Sequence, residues 1–596
     1  MKKYAMKKRF FKKALGIGLC AAMTAGLFAG CGGGDDEAAA GSPHGGPYEE
    51  EITIDVFDSQ ANFQGEQTGW FAKLVKDKFN MKLNIIAPNV AGGGDTLYQT
   101  RTASGNLGDL IITNADAGRL KDLVTAGLLL DMTPYLEGCD TLNKHKDALA
   151  DATELAGQEG IWAVPSEISN QSATDPCDAL EPTNAPSLRW DIYEQIGCPQ
   201  IGTLEDLIPV LSDMQEAAGK SDSGKDVYAL SLFKDWDNDI MQNAGALCAL
   251  YGYEPLGFAM AKDDGTDVQS LIDSDGIYVR ALKFLYEANQ KGLIDPESTT
   301  QDFDTLTAKY KDGGVLYSLW PWLGAGQYNS SANTAEGKGF ATAIIDDMGC
   351  ATYGSMPRGK FAEATVMIGS GTKDPQRLVD FVDWLYSPEG IACGCAETGR
   401  YCGPEGLTWE LGDDGKPKLT EFGVQAFVDQ LGSDLAVPEE WGGGTWKDGI
   451  SALNYKAAGL VDVDESNGVC YSYERWEDYI EKTQTTLSKN WSAKHDNALT
   501  TIDYLKDHDM LVVRPGSNYA APEYETDIQT IKEQCKATIV ANSWQMAFAD
   551  SEEEFNALLK DMQETVNGLG YEQVFAVDEQ NVRDRFAAEA EITAAE

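Results

Sequence analysis

Residues 51–62 read Glu-Ile-Thr-Ile-Asp-Val-Phe-Asp-Ser-Gln-Ala-Asn. Apolar and polar side chains alternate from Ile52 to Phe57, the period of a strand, and the chain then breaks into a turn at Asp58. A helical stretch follows over 70–79, a second strand over 82–87 and a loop with three glycines at 92–94. Another helix over 96–103 leads into a short apolar strand over 109–113. Strand and helix alternate, which specifies an α/β fold on a mostly parallel sheet. Ligands of such sheets sit in the loops at the carboxyl ends of strands, which here begin at Asp58, Asn89 and Asn114.

Further along, helical periodicity dominates over 203–218, 277–291, 375–386 and 552–566, the last closed by Gly568. Strands interrupt at 314–319 and 365–369, and no internal repeat is evident. A chain of 596 residues is too long for one compact core, so two or more lobes are expected. With 95 acidic against 47 basic residues, the chain repels nucleic acid and anionic lipid, and neither is an expected ligand.

The first thirty residues differ in kind. Seven basic residues between Lys2 and Lys13 precede an apolar stretch over 14–29, which fits a secretory signal over 1–30. It ends in Leu27-Phe28-Ala29-Gly30-Cys31, which resembles a bacterial lipobox with Cys31 as the acylated residue. Residues 31–50, rich in Gly, Ala, Ser and Asp, read as a flexible tether. Nothing later has the apolar length of a membrane span. The expected location is therefore the outer face of the cell membrane, held by a lipid on Cys31.

Chemistry-bearing motifs are poor. Gly219-Lys220-Ser221 imitates the end of a phosphate-binding loop, but Met214 stands where its first glycine belongs. Asp235, Asp237 and Asp239 imitate the start of a calcium loop, but Ile240 and Ala246 occupy its glycine and glutamate positions. The Cys393, Cys395, Cys402 cluster lacks the usual zinc spacing, and the four histidines are scattered. No catalytic residue, metal site or cofactor is expected. A pair of acids for glycoside hydrolysis is a matter of spatial distance, which sequence alone does not fix.

Several segments, in order, resemble the family 1 extracellular solute-binding proteins of ABC transporters, in particular their large lipoprotein branch. They are Gly108-Asp-Leu-Ile111, the stretch LVTAGLLLDMTPYL over 123–136, and Gly160-Ile-Trp-Ala-Val-Pro165. Leu188-Arg-Trp-Asp191, Thr203-Leu-Glu-Asp-Leu207 and ALKFLYEANQKGLIDP over 281–296 follow. PQRLVDFVDWLYSPEG over 375–390 and Gly403-Pro-Glu-Gly406 complete the set. Trp162 departs from the family's usual tyrosine, and the proline-rich 175–186 is a local insertion.

The resemblance implies a two-lobed periplasmic-binding-protein-like fold of type II, with discontinuous lobes and a hinge. Lobe one is expected over 51–165 and 366–430, and lobe two over 166–365 and 431–596, with crossings near Pro165, Val366 and Leu431. It implies a monomer that captures an oligosaccharide and hands it to ABC permease subunits. Aromatic faces stack on sugar rings, and carboxylates and amides take the hydroxyls. By this resemblance the stacking candidates are Trp236, Trp320, Trp322, Trp441 and Trp446. The polar candidates are Asp58, Asn62, Asn114, Asp116, Glu167 and Asp237. A surface glycoside hydrolase, or a binding protein for a non-sugar solute such as a peptide, are the alternatives.

Overall fold

The computed structural model describes residues 48–595 apart from 92–93, 117, 178–179 and 396–400. The signal stretch, Cys31 and the tether up to residue 47 lie outside the described residues. Among the described residues no helix is long and apolar enough to cross a membrane.

The opening strand forms as its alternation requires. β1 (Ile52–Asp58) pairs in parallel with β3 (Met81–Ile86) and β4 (Leu110–Thr113). β2 (Gly65–Glu66) and β5 (Thr365–Ile368) add antiparallel edges, in the order β5-β4-β1-β3-β2. Ile54, Val56, Leu83, Ile85, Leu110 and Ile112 face one side of the sheet. There they meet α1 (Gly69–Phe79) and the helix Pro375–Leu385, which supplies Leu378, Phe381 and Leu385. Phe57, Ile111 and Met367 point the other way, onto Leu120 and Leu123 of the helix Arg119–Thr125. Burial on both faces is what a doubly wound sheet demands of its central strands.

A second core gathers residues 185–350 and 487–574. It is mostly helical: Ile277–Gln290 packs on the long helix Thr526–Ala547, which packs in turn on Glu552–Leu569. That last helix ends at Gly570, whose φ of 105° supplies the left-handed cap, two residues beyond the glycine expected to close it.

The expected boundary at residue 431 is wrong in the structure. Leu435, Val437, Trp446, Leu453, Tyr455 and Trp476 are buried in the first core, against α1 and the 375–395 helices. The reason is apolar content without regular periodicity: the segment has few helices or strands of its own and packs its rings onto an existing core. The third crossing therefore falls between Trp476 and Leu487.

Three stretches of chain run side by side where the two bodies meet. Residues 164–176 and 354–366 pair antiparallel through Val164 with Val366, Ser166 with Lys360 and Pro176 with Gly354. Cys350–Tyr353 pairs in parallel with Leu511–Arg514, and the Gly516 amide then reaches the Ala173 carbonyl at 2.9 Å. The packing leaves no room for side chains here. A Cβ on Gly354 would lie 1.8 Å from the Ala173 carbonyl oxygen, and one on Gly516 would lie 1.8 Å from that of Ser355.

Candidate functional site

Two adjoining cavities of about 830 and 500 Å³ open beside these crossing strands and share Cys177, Tyr353, Met356 and Lys360. The larger has Asp116, Asp151 and Phe361 on the first-lobe side and Arg514 and Tyr519 on the other. Asp116 is there because its loop leaves the carboxyl end of β4, and Phe361 because it precedes β5. The smaller is lined by Glu167, Ser169, Tyr401 and Lys456.

The charges on these walls are matched from within. Glu167 lies 2.5 Å from Lys360 and 3.3 Å from Lys456. Burial pushes its carboxyl up, but Lys360 and then Lys456 outweigh that and hold it below the ordinary glutamate range. Its backbone sits at φ 51°, a conformation that non-glycine residues adopt only under constraint. The constraint is its own amide, which donates to the Lys456 carbonyl at 2.7 Å. Arg514 lies 3.2 Å from Glu589 of the last helix and 3.5 Å from Glu254, whose carboxylate also accepts from the Tyr353 hydroxyl at 2.9 Å. Arg358 pairs with Asp151. Asp462, buried under Ser169, accepts from that hydroxyl and from the Gly459 amide at 2.6 Å, and burial pushes its carboxyl up to about 6.

The expected tryptophans divide into two groups. On the second lobe, Trp236, Trp320 and Trp322 form one cluster with Phe233 and Phe303. Trp236 and Trp322 stack at 5.8 Å, with Trp322 48% exposed and Trp236 half-buried. Trp320 is 6% exposed and packs edge-on against Trp236 and Phe233, so it is no stacking surface itself. Trp446 belongs to the first core, where it stacks on Trp70 at 4.9 Å, and Trp441 packs partly buried against the same core. None of the five tryptophans lines the two cavities.

The polar candidates divide as well. Asp116 and Glu167 line the cavities, and Asn114 donates to the Asp116 carboxylate at 3.0 Å. Asn62 is exposed on the loop after β1. Asp58 is wholly buried: its carboxylate accepts from the amides of Gln60, Ala61 and Asn454, which pins the loop instead of facing a ligand. Asp237 accepts from the Gln242 amide and the Trp544 indole, a structural pair of contacts. Sequence reasoning missed Tyr353, Lys360, Lys456, Arg514 and Tyr519. They come from distant stretches, and no local spacing marks them. Among the described residues no group of three or more His, Cys, Asp or Glu is placed to hold a metal ion.

No protein-family model and no curated protein matches the chain. Solved structures do match its fold. The Streptococcus pneumoniae ABC-transporter substrate-binding protein FusA, in complex with kestose, superposes with a TM-score of 0.52 at 13% identity, covering 90% of this chain and 99% of its own. An HMO-binding, ABC-transporter-associated solute-binding protein from Bifidobacterium longum infantis gives 0.53 at 12% identity, covering 90% and 99%. An extracellular solute-binding protein from Bifidobacterium longum subsp. infantis gives 0.51 at 12%, covering 90% and 98%. The chain therefore has the two-lobed, periplasmic-binding-protein-like α/β fold of the ABC-transporter solute-binding proteins.

Proposed function

We propose that this chain is an extracellular solute-binding protein that captures an uncharged oligosaccharide between its lobes and delivers it to an ABC importer. One observation carries the reading: the cations on the cavity walls are already paired with the protein's own carboxylates, while the second lobe, outside the cavity lining, offers a half-open indole stack of Trp322 on Trp236. Flat aromatic faces suit the C–H faces of sugar rings. Cations without spare charge give an anionic guest little to bind. Fold relatives that bind kestose or HMO point to the same ligand class.

In this reading Asp116, Asn114 and Glu167 take hydroxyls from the first-lobe side, and Tyr353 and Arg514 close the floor. Residues 164–176 and 354–366 form the hinge on which the lobes rotate. Glycines 354 and 516 let these strands approach closely, so the hinge bends without separating. Cys31 carries the lipid, and the segment up to residue 47 spaces the lobes from the membrane. No step in this cycle needs covalent chemistry, and the protein acts as a monomeric receptor.

Calorimetry against a panel of uncharged and acidic oligosaccharides and short peptides tests the proposal. Saturable, one-to-one binding of an uncharged oligosaccharide is expected, with no reducing ends released on prolonged incubation. Selective binding of a peptide or an acidic sugar, or release of reducing ends, overturns it.

A further inference from the structure

Among the described residues only three aromatic side chains are strongly exposed: Phe63 at 43%, Tyr353 at 44% and Trp322 at 48%. Tyr353 sits at the cavities and Trp322 on the second lobe, which leaves Phe63 without a role. An exposed ring on a slack loop would mean little, but this loop is held at both ends. The Asp58 carboxylate accepts from the Gln60 and Ala61 amides, and the Ser59 amide donates to the Ile112 carbonyl at 3.0 Å. Asn454 donates to the Gln60 carbonyl at 2.8 Å, and the Gln64 side chain accepts from the Ala87 amide at 2.8 Å. The ring is thus fixed outward at a cost in exposed apolar surface.

Its place follows from the strand order. The larger cavity meets the sheet at β4 and β5, while Phe63 precedes β2 at the opposite edge and its loop is tied to the end of β3. Three strand spacings from β4 to β2 make about 14 Å along the carboxyl rim. That is longer than a disaccharide. We infer that Phe63 forms an outer subsite, where its ring stacks on a distal residue of an uncharged oligosaccharide laid along the rim from the cavity. The inference rests on the sugar-binding reading above and adds a length preference to it.

The test is calorimetry on the full chain with uncharged di-, tri- and tetrasaccharides of the fructo-, malto- and galacto- series, for wild type, Phe63→Ala, Phe63→Tyr and Trp322→Ala. Wild type is expected to bind the tetrasaccharide about tenfold more tightly than the disaccharide. Phe63→Ala should lose that gain and keep the disaccharide affinity, Phe63→Tyr should restore it, and Trp322→Ala should weaken every length. Melting temperatures should stay together, because Phe63 is a surface residue. A length gain that survives Phe63→Ala, or a wild type with no length gain, overturns the inference and leaves the sugar-binding reading standing. A wild type that binds none of the sugars overturns both.

Discussion

Trp446 and Trp322 share an expected role and end in opposite places. Trp446 follows Gly443-Gly-Thr and precedes Lys-Asp-Gly449, and Trp322 closes Ser318-Leu-Trp-Pro-Trp322; both are expected to present an indole to a ligand. In the structure Trp446 is 4% exposed, stacked within 4° of parallel on Trp70 and met edge-on by Phe422 and Phe427. Trp322 has a stacking partner on one side and nearly half its surface open. The difference is decided by a second partner distant in sequence: the Trp70 indole even donates to the Trp446 carbonyl at 3.2 Å. The neighbours in sequence therefore say little about an aromatic residue's role, and the ring's remaining face says a good deal.

Five substitutions, three of them at the tryptophans, sharpen this contrast and the account of the site behind it. Trp446→Ala should cost about 3–5 kcal/mol of stability in urea unfolding, the price of a large buried ring, while folded protein keeps its sugar affinity. A loss of affinity without a loss of stability would break the contrast. The buried Asp462 behind the crossing strands should have the next largest effect. Its folded carboxyl titrates near 6, above the unfolded value, so the native state holds the proton more tightly. Stability should therefore fall as pH rises from about 4 to about 6 and level off above, by at most about 3 kcal/mol. Asp462→Asn should remove that slope. Glu167 should act in the opposite sense, since its carboxyl is depressed: the stability from its lysines is present above the ordinary glutamate pKa and lost on acidification, and Glu167→Gln should abolish that acid-side loss.

Trp322→Ala comes next. It should leave stability within about 0.5 kcal/mol and weaken oligosaccharide binding by about 1–2 kcal/mol in calorimetry. Trp441→Ala should be mildest, with a stability loss below about 1 kcal/mol and affinity unchanged, because its ring packs on the first core. An affinity loss there would return Trp441 to the ligand surface.

What was legible in the sequence was what is local. The alternation of Ile52 to Phe57 gave β1 its inward and outward faces, and of the loops after β1 and β4 it is the second, through Asp116, that lines the larger cavity. Asp58 was found by position, but its role depends on Asn454, nearly four hundred residues away. The 435–476 stretch was assigned to the wrong body because irregular segments carry no period that points to a partner. Tyr353 meets Arg514 at one cavity and Lys456 at the other only because stretches distant in sequence lie together, and no motif spans them. Strands and helices thus follow from neighbours in sequence, whereas this site is made of neighbours in space.

The central claim is that two bodies, joined by the 164–176 and 354–366 strands, close on an uncharged oligosaccharide. Small-angle X-ray scattering of the protein with and without a saturating oligosaccharide tests it most directly. The radius of gyration should fall on addition of sugar, and in Trp322→Ala the same fall should need a correspondingly higher sugar concentration. A radius unchanged by a sugar that calorimetry reports as bound would contradict closure between lobes.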